Sequence, residues 1–489
     1  MTDGVIVVGA GVGGLATAAR LAAMGHQVTV LEQAQHVGGK LGRYERSTPA
    51  GMFRFDTGPS LLTLPQVFAD LFAATGSTLE HELELVPLDP VVRHVFADGT
   101  VLDSSSTPGV FAERIAAALD PTAARDWQRL WRRAGRVWDA SWRHVLRSPI
   151  DSPLSLARLA WRLGDLAAIG PGRSLRGLGR SYLRDARLRT LLDRYATYTG
   201  SDPRRAPAAL AAIPFAELTF GGWYLRGGLS TLADALHRRC LALGVRIELD
   251  QTVRRILTTG SATTGVETAD GRHWPASVVV ANVDAATVYG ALLPAGRPPA
   301  GLDRRSLGGF VMLLGVRGHT PGLAHHTVFF PHRYDDEFDA IFGPNPRPVP
   351  DPTVFVTVPD DPAVRPAGHE AWFVLVNAPP HGPVDWRAAD RSDRYADRIL
   401  SVLAARGVDL GDRVLFRDLL TPADLEQATL TPGGAIYGTP SHGLGGLLRP
   451  ANRTPVRGLF LVGGSTHPGG GLPMVTLSAE IVARQIGPA

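Results

Sequence analysis

The N-terminal part of the chain combines short apolar runs with a helical pattern. Residues 5–8 are all apolar, as in a strand buried on both faces of a parallel sheet. Residues 15–22 place leucine and alanine on one helix face, and Gly25 follows as a terminator. A second apolar run, residues 28–31, ends at Glu32. The pattern predicts a strand, a helix and a second strand with an acid at its end.

Glycines between the first strand and the helix have the spacing of a dinucleotide-binding turn. Gly9, Gly11 and Gly14 form a G-x-G-x-x-G sequence, and Gly13 lies inside it. The first glycine permits a tight turn, the second lets a pyrophosphate approach the backbone, and the third lets the helix pack closely. The carboxylate of Glu32 can then accept hydrogen bonds from an adenosine ribose.

A second glycine turn follows the acid. Gly38 and Gly39 stand directly before Lys40, the only lysine in the chain. This turn resembles one in large flavoproteins related to amine oxidases and glutathione reductase, where a basic residue after paired glycines lies near the cofactor. The resemblance gives that role to Lys40 and favours FAD over NAD. We also place Gln33 and Gly39 in the expected cofactor site.

The remaining pattern predicts a cofactor domain and a substrate domain that interleave along the chain. Apolar and polar residues alternate around Asp98-Gly99, which predicts a hairpin, and residues 110–200 have mostly helical spacing. We expect an α/β fold with a Rossmann-type FAD-binding domain, a discontinuous α+β substrate domain and a helical lid. Residues 1–80, 226–300 and 453–489 would form the FAD-binding domain, 81–225 the lid and first part of the substrate domain, and 301–452 its second part.

Composition limits the classes of protein that fit. Apolar residues make up 44% of the chain and charged residues 20%, which disfavours extensive disorder. Cys240 is the single cysteine, so an internal disulfide and metal sites built from several thiolates are excluded, and we expect no metal. No secretory signal precedes the first strand, and no apolar stretch reaches the roughly 18 residues that span a membrane. We expect a cytoplasmic protein.

Arginine and tryptophan are concentrated in the predicted lid. Between Arg143 and Arg189 there are ten arginines and three aspartates, interleaved with Trp161 and many leucines, and Trp142 precedes them. Basic amphipathic helices with tryptophan fit an anionic membrane surface, although an arginine-covered face over an ordinary core has the same pattern. We expect a peripheral membrane contact. Nucleic-acid binding is not expected from a net charge of +4.

Taken together, the motifs are similar to those of bacterial carotenoid desaturases, the phytoene desaturase-like FAD enzymes, along essentially the whole chain. The resemblance is carried by VVGAGVGGLATAARLAAMGHQVTVLEQ, GGKLGRY, FRFDTGPSLLTLP, RGGLSTLADAL, HHTVFFPHRYDDEF, GAIYG and GGSTHPGGGLPM. Within that family, DRYATYTGSDPRRAPAAL and GGSTHPGGGLPMVTLS resemble hydroxycarotenoid 3,4-desaturases more than phytoene desaturases.

The resemblance implies an enzyme with noncovalent FAD that removes two hydrogens across a carbon–carbon bond of an acyclic carotenoid, with or without a 1-hydroxyl group. A quinone or oxygen would reoxidise the flavin. The flavin would lie against the turn of residues 58–60, between a short strand and a helical run of the first domain segment, and against the last loop. The adenine would lie near the start of the strand that contains Val253. These parts add Gly58, Pro59, Ser60, Val253, Asn282, Gly463, Gly464, Gly471, Leu472, Pro473 and Met474 to the expected cofactor site.

The sequence leaves the acid/base residue and the precise reaction open. His467, in the glycine-rich last loop, is the predicted catalytic residue, with Asp56 and Glu217 as further candidates, and each also fits a structural role. A phytoene desaturase, a carotenoid isomerase or an oxygenase could use the same scaffold. An amine oxidase-like flavoenzyme and a non-catalytic FAD-binding protein are more distant alternatives.

Overall fold

The computed structural model describes residues 4–150, 164, 169–293, 298–443, 446 and 448–489. These residues form nineteen strands, numbered in chain order: β1 (Val5–Val8), β2 (Val28–Leu31), β3 (Arg43–Thr48), β4 (Gly51–Asp56), β5 (Leu85–Pro87), β6 (Arg93–Val95), β7 (Val101–Asp103), β8 (Trp223–Leu225), β9 (Arg246–Glu248), β10 (Val253–Thr259), β11 (Ala262–Thr268), β12 (His273–Pro275), β13 (Val278–Ala281), β14 (Gly308–Arg317), β15 (His326–Phe329), β16 (Val354–Thr357), β17 (His369–Ala378), β18 (Val414–Leu420) and β19 (Leu459–Leu461).

The same part of the chain contains fourteen α-helices: α1 (Val12–Ala23), α2 (Pro65–Ala74), α3 (Leu79–Glu82), α4 (Pro108–Ala118), α5 (Pro121–Ser141), α6 (Leu175–Tyr182), α7 (Ala186–Arg194), α8 (Ala212–Phe220), α9 (Thr231–Ala242), α10 (Ala285–Thr287), α11 (Asp335–Phe342), α12 (Arg391–Ala405), α13 (Pro422–Thr429) and α14 (Leu472–Ile486). A π-helical turn, Trp142–Leu146, continues α5, and a second, Val288–Leu292, continues α10. Short 3-10 turns cover Tyr195–Thr199, Ala208–Ala211, Gly411–Arg413 and Pro432–Gly434.

A five-stranded parallel sheet carries the N-terminal motif. Its order is β19-β13-β1-β2-β9, so β1 lies between β2 and β13. Val5 and Val7 pack in a core with α1, α9 and α14, whereas Ile6 and Val8 pack with the antiparallel sheet β10-β11-β12. Burial on both faces explains why the strand is apolar at every position. The strands fall within the three segments expected for the FAD-binding domain, and the predicted fold class is confirmed.

A seven-stranded, mostly antiparallel sheet forms the base of the substrate domain. Its order is β18-β14-β17-β16-β15-β6-β7, and the β6–β7 pair confirms the hairpin predicted around Asp98-Gly99. The long strands β14 and β17 pair over ten positions, from Gly308 with Ala378 to Arg317 with His369. One face of this sheet supports α12, and the other contributes to the cavity described below.

The helical part of the substrate domain packs over the edge of this sheet. In α5, Trp127 and Leu130 face a shared core with α7 and β15, while arginines occupy the exposed face. The basic segment expected to contact a membrane lies partly outside the described residues, because 151–163 and 165–168, including Trp161, are not among them. Among the residues that are described, no helix is both long enough and apolar enough to cross a bilayer.

Candidate cofactor and substrate site

The first glycine turn holds strand β1 and helix α1 in close contact. Gly9 has a φ of +95°, which glycine adopts without strain. A β-carbon on Gly14 would lie 2.1 Å from the carbonyl oxygen of Gly9. β-Carbons on Gly11 and Gly13 would approach the side chain of Asn282 to 2.8 and 2.7 Å. The glycines are therefore required by close packing against Asn282 and strand β1, and Gly9, Gly11 and Gly13 line the main cavity.

Asn282, directly after strand β13, closes the turn from one side. In one amide orientation its nitrogen donates to the Gly9 carbonyl over 3.3 Å. In the opposite orientation its oxygen accepts from the N–H groups of Gly11 at 3.3 Å and Gly14 at 3.2 Å. The second orientation suits the surroundings better, because it satisfies two donors at the start of α1. Asn282 thus links strand β13 to the glycine turn.

Glu32 ends strand β2 and faces the same turn. Its Oε2 accepts from the amide of Ala10 at 2.6 Å, and its Oε1 accepts from the amide of Ala34 at 2.9 Å. The residue is 7% exposed and lines the main cavity. Gln33 and Val253 also line the cavity. The predicted nucleoside-binding residues are therefore brought together.

The second glycine turn lies against the first. Gly11 and Gly38 form a bridge between the two turns, and a β-carbon on Gly39 would lie 3.2 Å from the Cα of Gly11. Lys40 then points across the cavity wall, where its Nζ donates to the carbonyls of Ala435 at 3.0 Å and Ile436 at 2.8 Å. The side chain of Lys40 therefore carries a cation from the second glycine turn to the cavity wall at Ile436.

Lys40 shares this region with a second cation, Arg449. Burial lowers the pKa of Lys40 to about 8, against the opposing effect of the Asp284 carboxylate. Burial also lowers the pKa of Arg449 to about 10, and this guanidinium donates to the carbonyl of Tyr437 at 2.6 Å. Both side chains keep some exposure to the cavity. Two partly desolvated cations in one cavity suit a ligand with a diphosphate.

The last loop joins strand β19 to helix α14 and lines the cavity with backbone. Gly463 and Gly471 have φ values of +115° and +103°, and α14 begins directly after Gly471. A β-carbon on Gly470 would lie 2.5 Å from the ring of Tyr437. Gly464, Leu472, Pro473 and Met474 line the cavity as well. The N-terminal end of α14 therefore lies at the cavity wall, where its positive end would stabilise an electron-rich ring edge.

The turn of Gly58, Pro59 and Ser60 lines the same cavity. A β-carbon on Gly58 would lie 2.0 Å from the carbonyl oxygen of Lys40. The buried imidazole of His326 lies 3.2 Å from the Ser60 carbonyl oxygen through its Nε2, and Thr357 donates to the Ser60 hydroxyl at 3.2 Å. These contacts fix the turn between the cofactor sheet and the substrate sheet.

All these parts belong to one cavity of about 1090 Å³. The cavity continues from the glycine turns into an apolar chamber and extends to the lid at Val145, Leu146 and Ile150. The chamber is lined by residues from the substrate sheet, from helices α5 and α8, from the π-helical turn after α5 and from the start of α2. They include Leu64, Trp138, Leu146, Ile213, Ala216, Val311, Phe355, Phe373, Leu375 and Leu420. A volume above the range of ordinary small-molecule pockets gives room for a large cofactor and part of a long substrate.

His467 does not line this cavity, although it was predicted to be catalytic. The residue is 2% exposed, and its Nε2 lies 3.0 Å from the carbonyl oxygen of Val145 and 2.9 Å from that of Ser148. His467 therefore holds the last loop against the lid at Val145 and Ser148. A catalytic role for His467 stays a prediction that this placement does not support.

Asp56 and Glu217, the other acid/base candidates, have different surroundings. Asp56 accepts from the amides of Leu229 at 2.7 Å and Ser230 at 2.8 Å, so it stabilises the start of helix α9 from outside the main cavity. Glu217 lines the cavity together with Arg194 and is 2% exposed. Of the three candidates, Glu217 is the one that faces the chamber.

Comparison with known proteins agrees with this geometry. The chain matches the family described as flavin containing amine oxidoreductase over residues 12–311. It is 36% identical to a hydroxyneurosporene desaturase from Cereibacter sphaeroides, over 99% of this chain and 97% of that protein. It is 31% identical to a 4,4'-diapolycopene oxygenase from Methylomonas sp, over 99% and 97%, and 30% identical to a 1-hydroxycarotenoid 3,4-desaturase from Flavobacterium sp., over 98% of each. The chain belongs to the carotenoid desaturase family of flavin-containing oxidoreductases.

The fold of this carotenoid desaturase family member extends to more distant flavoproteins. A solved structure of a putrescine oxidase triple mutant, redesigned in its cofactor binding, superimposes with a TM-score of 0.66 over 99% of each chain at 17% identity. An oxidoreductase from Methanosarcina mazei has a TM-score of 0.63 at 18% identity and covers 98% of this chain. At these identities the likeness shows the fold alone.

FAD is the cofactor of this flavoenzyme, and the residues present fit it. The two glycine turns leave room for a diphosphate, Glu32 presents a carboxylate to a ribose, and Lys40 supplies a positive charge. Tyr437 and Arg449 were not among the residues predicted to form the site. Tyr437 lies in the motif GAIYG, and Arg449 is a charged residue in an apolar stretch, LLRPAN, which is the sequence signal that could have indicated it.

Proposed function

We propose that the protein is an FAD-dependent desaturase that introduces carbon–carbon double bonds into an acyclic carotenoid with a terminal hydroxyl group. The observation that carries the proposal is the cavity, which joins the glycine turns to a chamber with mostly apolar walls. A long apolar chain would be held there by burial, which is worth roughly 25 cal/mol per Å² of apolar surface. Two of the relatives are named for hydroxylated carotenoids, which supports this substrate class.

Desaturation breaks two C–H bonds on neighbouring carbons and forms one double bond. FAD, when bound, would supply the acceptor for one hydrogen as a hydride with its electron pair, and the other hydrogen leaves as a proton to a base or to water. The residues of this chain orient the polyene and exclude water. The rings of Phe355 and Phe373 and the side chain of Leu375 form part of the chamber wall, and such apolar walls leave the substrate few alternative positions.

Expression in bacteria that accumulate single carotenoids tests this function. The expected result is conversion of a 1-hydroxylated acyclic carotenoid to a product with a longer conjugated system, detected by chromatography and by a red shift in absorption. Conversion of phytoene alone would favour a phytoene desaturase. An oxygenated product would favour the chemistry named for the Methylomonas relative. A purified protein without flavin absorption would contradict every one of these reactions.

We also propose a peripheral membrane contact through the exposed face of α5. This face carries the exposed side chains of Arg125, Arg129, Arg132 and Arg136, and the C-terminal end of the same helix lines the cavity through Trp138 and Ser141. Arginines near an anionic bilayer are each worth roughly 1 kcal/mol. An apolar substrate dissolved in the bilayer would reach the chamber by this route.

Liposome flotation of the holoenzyme tests the membrane contact. The wild type is expected to float with anionic vesicles and to float less with vesicles of phosphatidylcholine alone. A variant with all four arginines changed to glutamine should lose more than tenfold in affinity for the anionic vesicles. Equal flotation of the two proteins would contradict the assignment of this face.

A quinone or oxygen is proposed as the final electron acceptor. Stopped-flow mixing of the reduced holoenzyme with either oxidant, under anaerobic conditions for the quinone, distinguishes them. The physiological acceptor is expected to restore flavin absorption at least as fast as substrate turnover.

A further inference from the structure

Four polar residues form a cluster in the otherwise apolar chamber. Arg194 ends helix α7, Tyr195 and Tyr198 lie in the 3-10 turn that follows it, and Glu217 lies in α8. Arg194, Tyr198 and Glu217 line the cavity. Charged residues are rarely found in the wall of an apolar chamber unless they are paired, because their desolvation is costly, and here Arg194 and Glu217 carry opposite charges.

The hydrogen bonds within the cluster do not include one carboxylate oxygen, Oε2 of Glu217. The hydroxyl of Tyr195 donates to Oε1 of Glu217 at 2.8 Å, and Nη1 of Arg194 donates to the hydroxyl of Tyr198 at 3.1 Å. Oε2 of Glu217 is buried and has no hydrogen-bond partner among the described residues. The guanidinium of Arg194 is held over the rings of Tyr198 and Phe355, 5.3 and 5.6 Å from their centres.

Glu217 therefore has a firmly placed carboxyl group on the cavity wall, and its Oε2 makes no hydrogen bond of ordinary geometry among the described residues although the Tyr198 hydroxyl lies close to the carboxyl group. Burial raises the pKa of Glu217, while the Arg194 charge and the hydroxyls of Tyr195 and Tyr198 act to lower it. An oxygen of this kind is best satisfied by an O–H or N–H group of a ligand. Neither a hydrocarbon end nor a carbonyl group can donate such a bond.

We propose that Glu217 is the receptor for the hydroxyl group at the end of the carotenoid, an assignment that rests on the proposed function. The substrate hydroxyl donates to Oε2 of Glu217, and its oxygen can accept from Arg194 or Tyr198. The name of one relative, 1-hydroxycarotenoid 3,4-desaturase, identifies a hydroxyl group on carbon 1 and a reacting bond between carbons 3 and 4. Only carbon 2 lies between the hydroxylated carbon and that bond. A receptor near the reacting bond would therefore select both the substrate and the bond.

Substrate selectivity of the purified holoenzyme tests this role. The two substrates are a 1-hydroxylated acyclic carotenoid and its 1,2-dihydro counterpart, in which hydrogen replaces the hydroxyl. The wild type is expected to favour the hydroxylated substrate in kcat/KM by roughly 10- to 100-fold, the range expected of one hydrogen bond to a charged group. Glu217→Met should abolish this preference by loss on the hydroxylated substrate alone. Glu217→Gln should retain part of it.

Glu337→Gln is the matched control. Glu337 is fully buried, but its oxygens already accept from Asn377 at 2.7 Å and from the amide of Thr353 at 2.8 Å, and it does not line the cavity. This variant should keep the wild-type selectivity. Dissociation constants of both carotenoids, measured by quenching of flavin fluorescence, should change in parallel with kcat/KM, and the flavin spectrum reports whether each variant is folded.

The outcomes separate this inference from the proposed function. Equal losses on both substrates in Glu217→Met, or a wild type without preference, would overturn the hydroxyl receptor and leave the desaturase function standing. If Glu217→Met does not fold, unchanged selectivity in Glu217→Gln would overturn it equally. A wild type that holds FAD but converts neither carotenoid would overturn both.

Discussion

Replacement of Gly14 by alanine should disrupt the cofactor domain at a single contact. The added β-carbon would lie 2.1 Å from the Gly9 carbonyl oxygen, 3.2 Å from the carbonyl carbon and 3.1 Å from Nδ2 of Asn282. The closest of these contacts is about 1 Å shorter than van der Waals packing allows, so α1 must move away from β1 or the glycine turn must deform. Overpacking of this kind costs about 1–3 kcal/mol.

Two measurements check this estimate. Chemical denaturation gives the free energy of unfolding, and the absorption ratio of flavin to protein gives FAD retention after purification. Gly109→Ala is a suitable control, because Gly109 lies near the start of α4 and a β-carbon there meets nothing within 4 Å. The control should be neutral or stabilised by up to about 1 kcal/mol through helix propensity. Full FAD retention and unchanged stability in Gly14→Ala would refute the close-packing argument.

Three further predictions concern buried polar groups. His94 is fully buried, and burial lowers its pKa to about 3. As pH falls, the histidine therefore binds a proton in the unfolded state before it does so in the folded state. The free energy of unfolding decreases between about pH 6.5 and pH 3, by about 1.4 kcal/mol per pH unit. His94→Asn should reduce the slope of pH-dependent denaturation by this amount, leaving the contributions of His325, His326 and His442, whose pKa values burial also lowers. His81→Gln, at an exposed site, is the control. Asp56→Ala should lower the free energy of unfolding by about 0.5–2 kcal/mol, because it removes the hydrogen-bond acceptor at the start of α9. If the folded variant instead loses more than a hundredfold in kcat, Asp56 has an acid/base role. His467→Ala should raise KM in steady-state assays while kcat falls less than tenfold, because His467 holds the last loop against the lid. A hundredfold fall in kcat in a variant that retains FAD would indicate that His467 is a catalytic residue.

The cofactor sheet was predictable because its signals are local. The apolar run at residues 5–8, the glycines of residues 9–14 and the acid at Glu32 all lie within one βαβ unit. Each has a physical cause that acts over a few residues: burial of a parallel strand, a positive φ, and a side chain at the end of a strand. The same reasoning identified the hairpin at Asp98-Gly99, since turn residues show in the sequence.

The chamber was less predictable because its residues come from distant segments. Lys40 and Arg449 lie in one cavity wall although about four hundred positions separate them. Glu217 was a candidate by residue type, but its partners Tyr195 and Arg194 lie in another helix and turn, and no spacing rule connects them. The predicted role of His467 was drawn from its glycine-rich loop, whereas its ring direction depends on carbonyls of the lid.

Contact between the first and the last segments of the chain also determines when the cofactor site can form during synthesis. A β-carbon on Gly13 would lie 2.9 Å from Val475 and 3.5 Å from the Cα of Gly463, so the N-terminal turn is completed by residues made roughly 450 positions later. At about 5–20 residues per second, the ribosome takes tens of seconds to a minute and a half to supply them. Until then β13 has no β19 beside it, and α1 has no α14. We therefore expect the flavin site to close only after the C-terminal segment has been synthesised, so that the cofactor is taken up by the full-length chain.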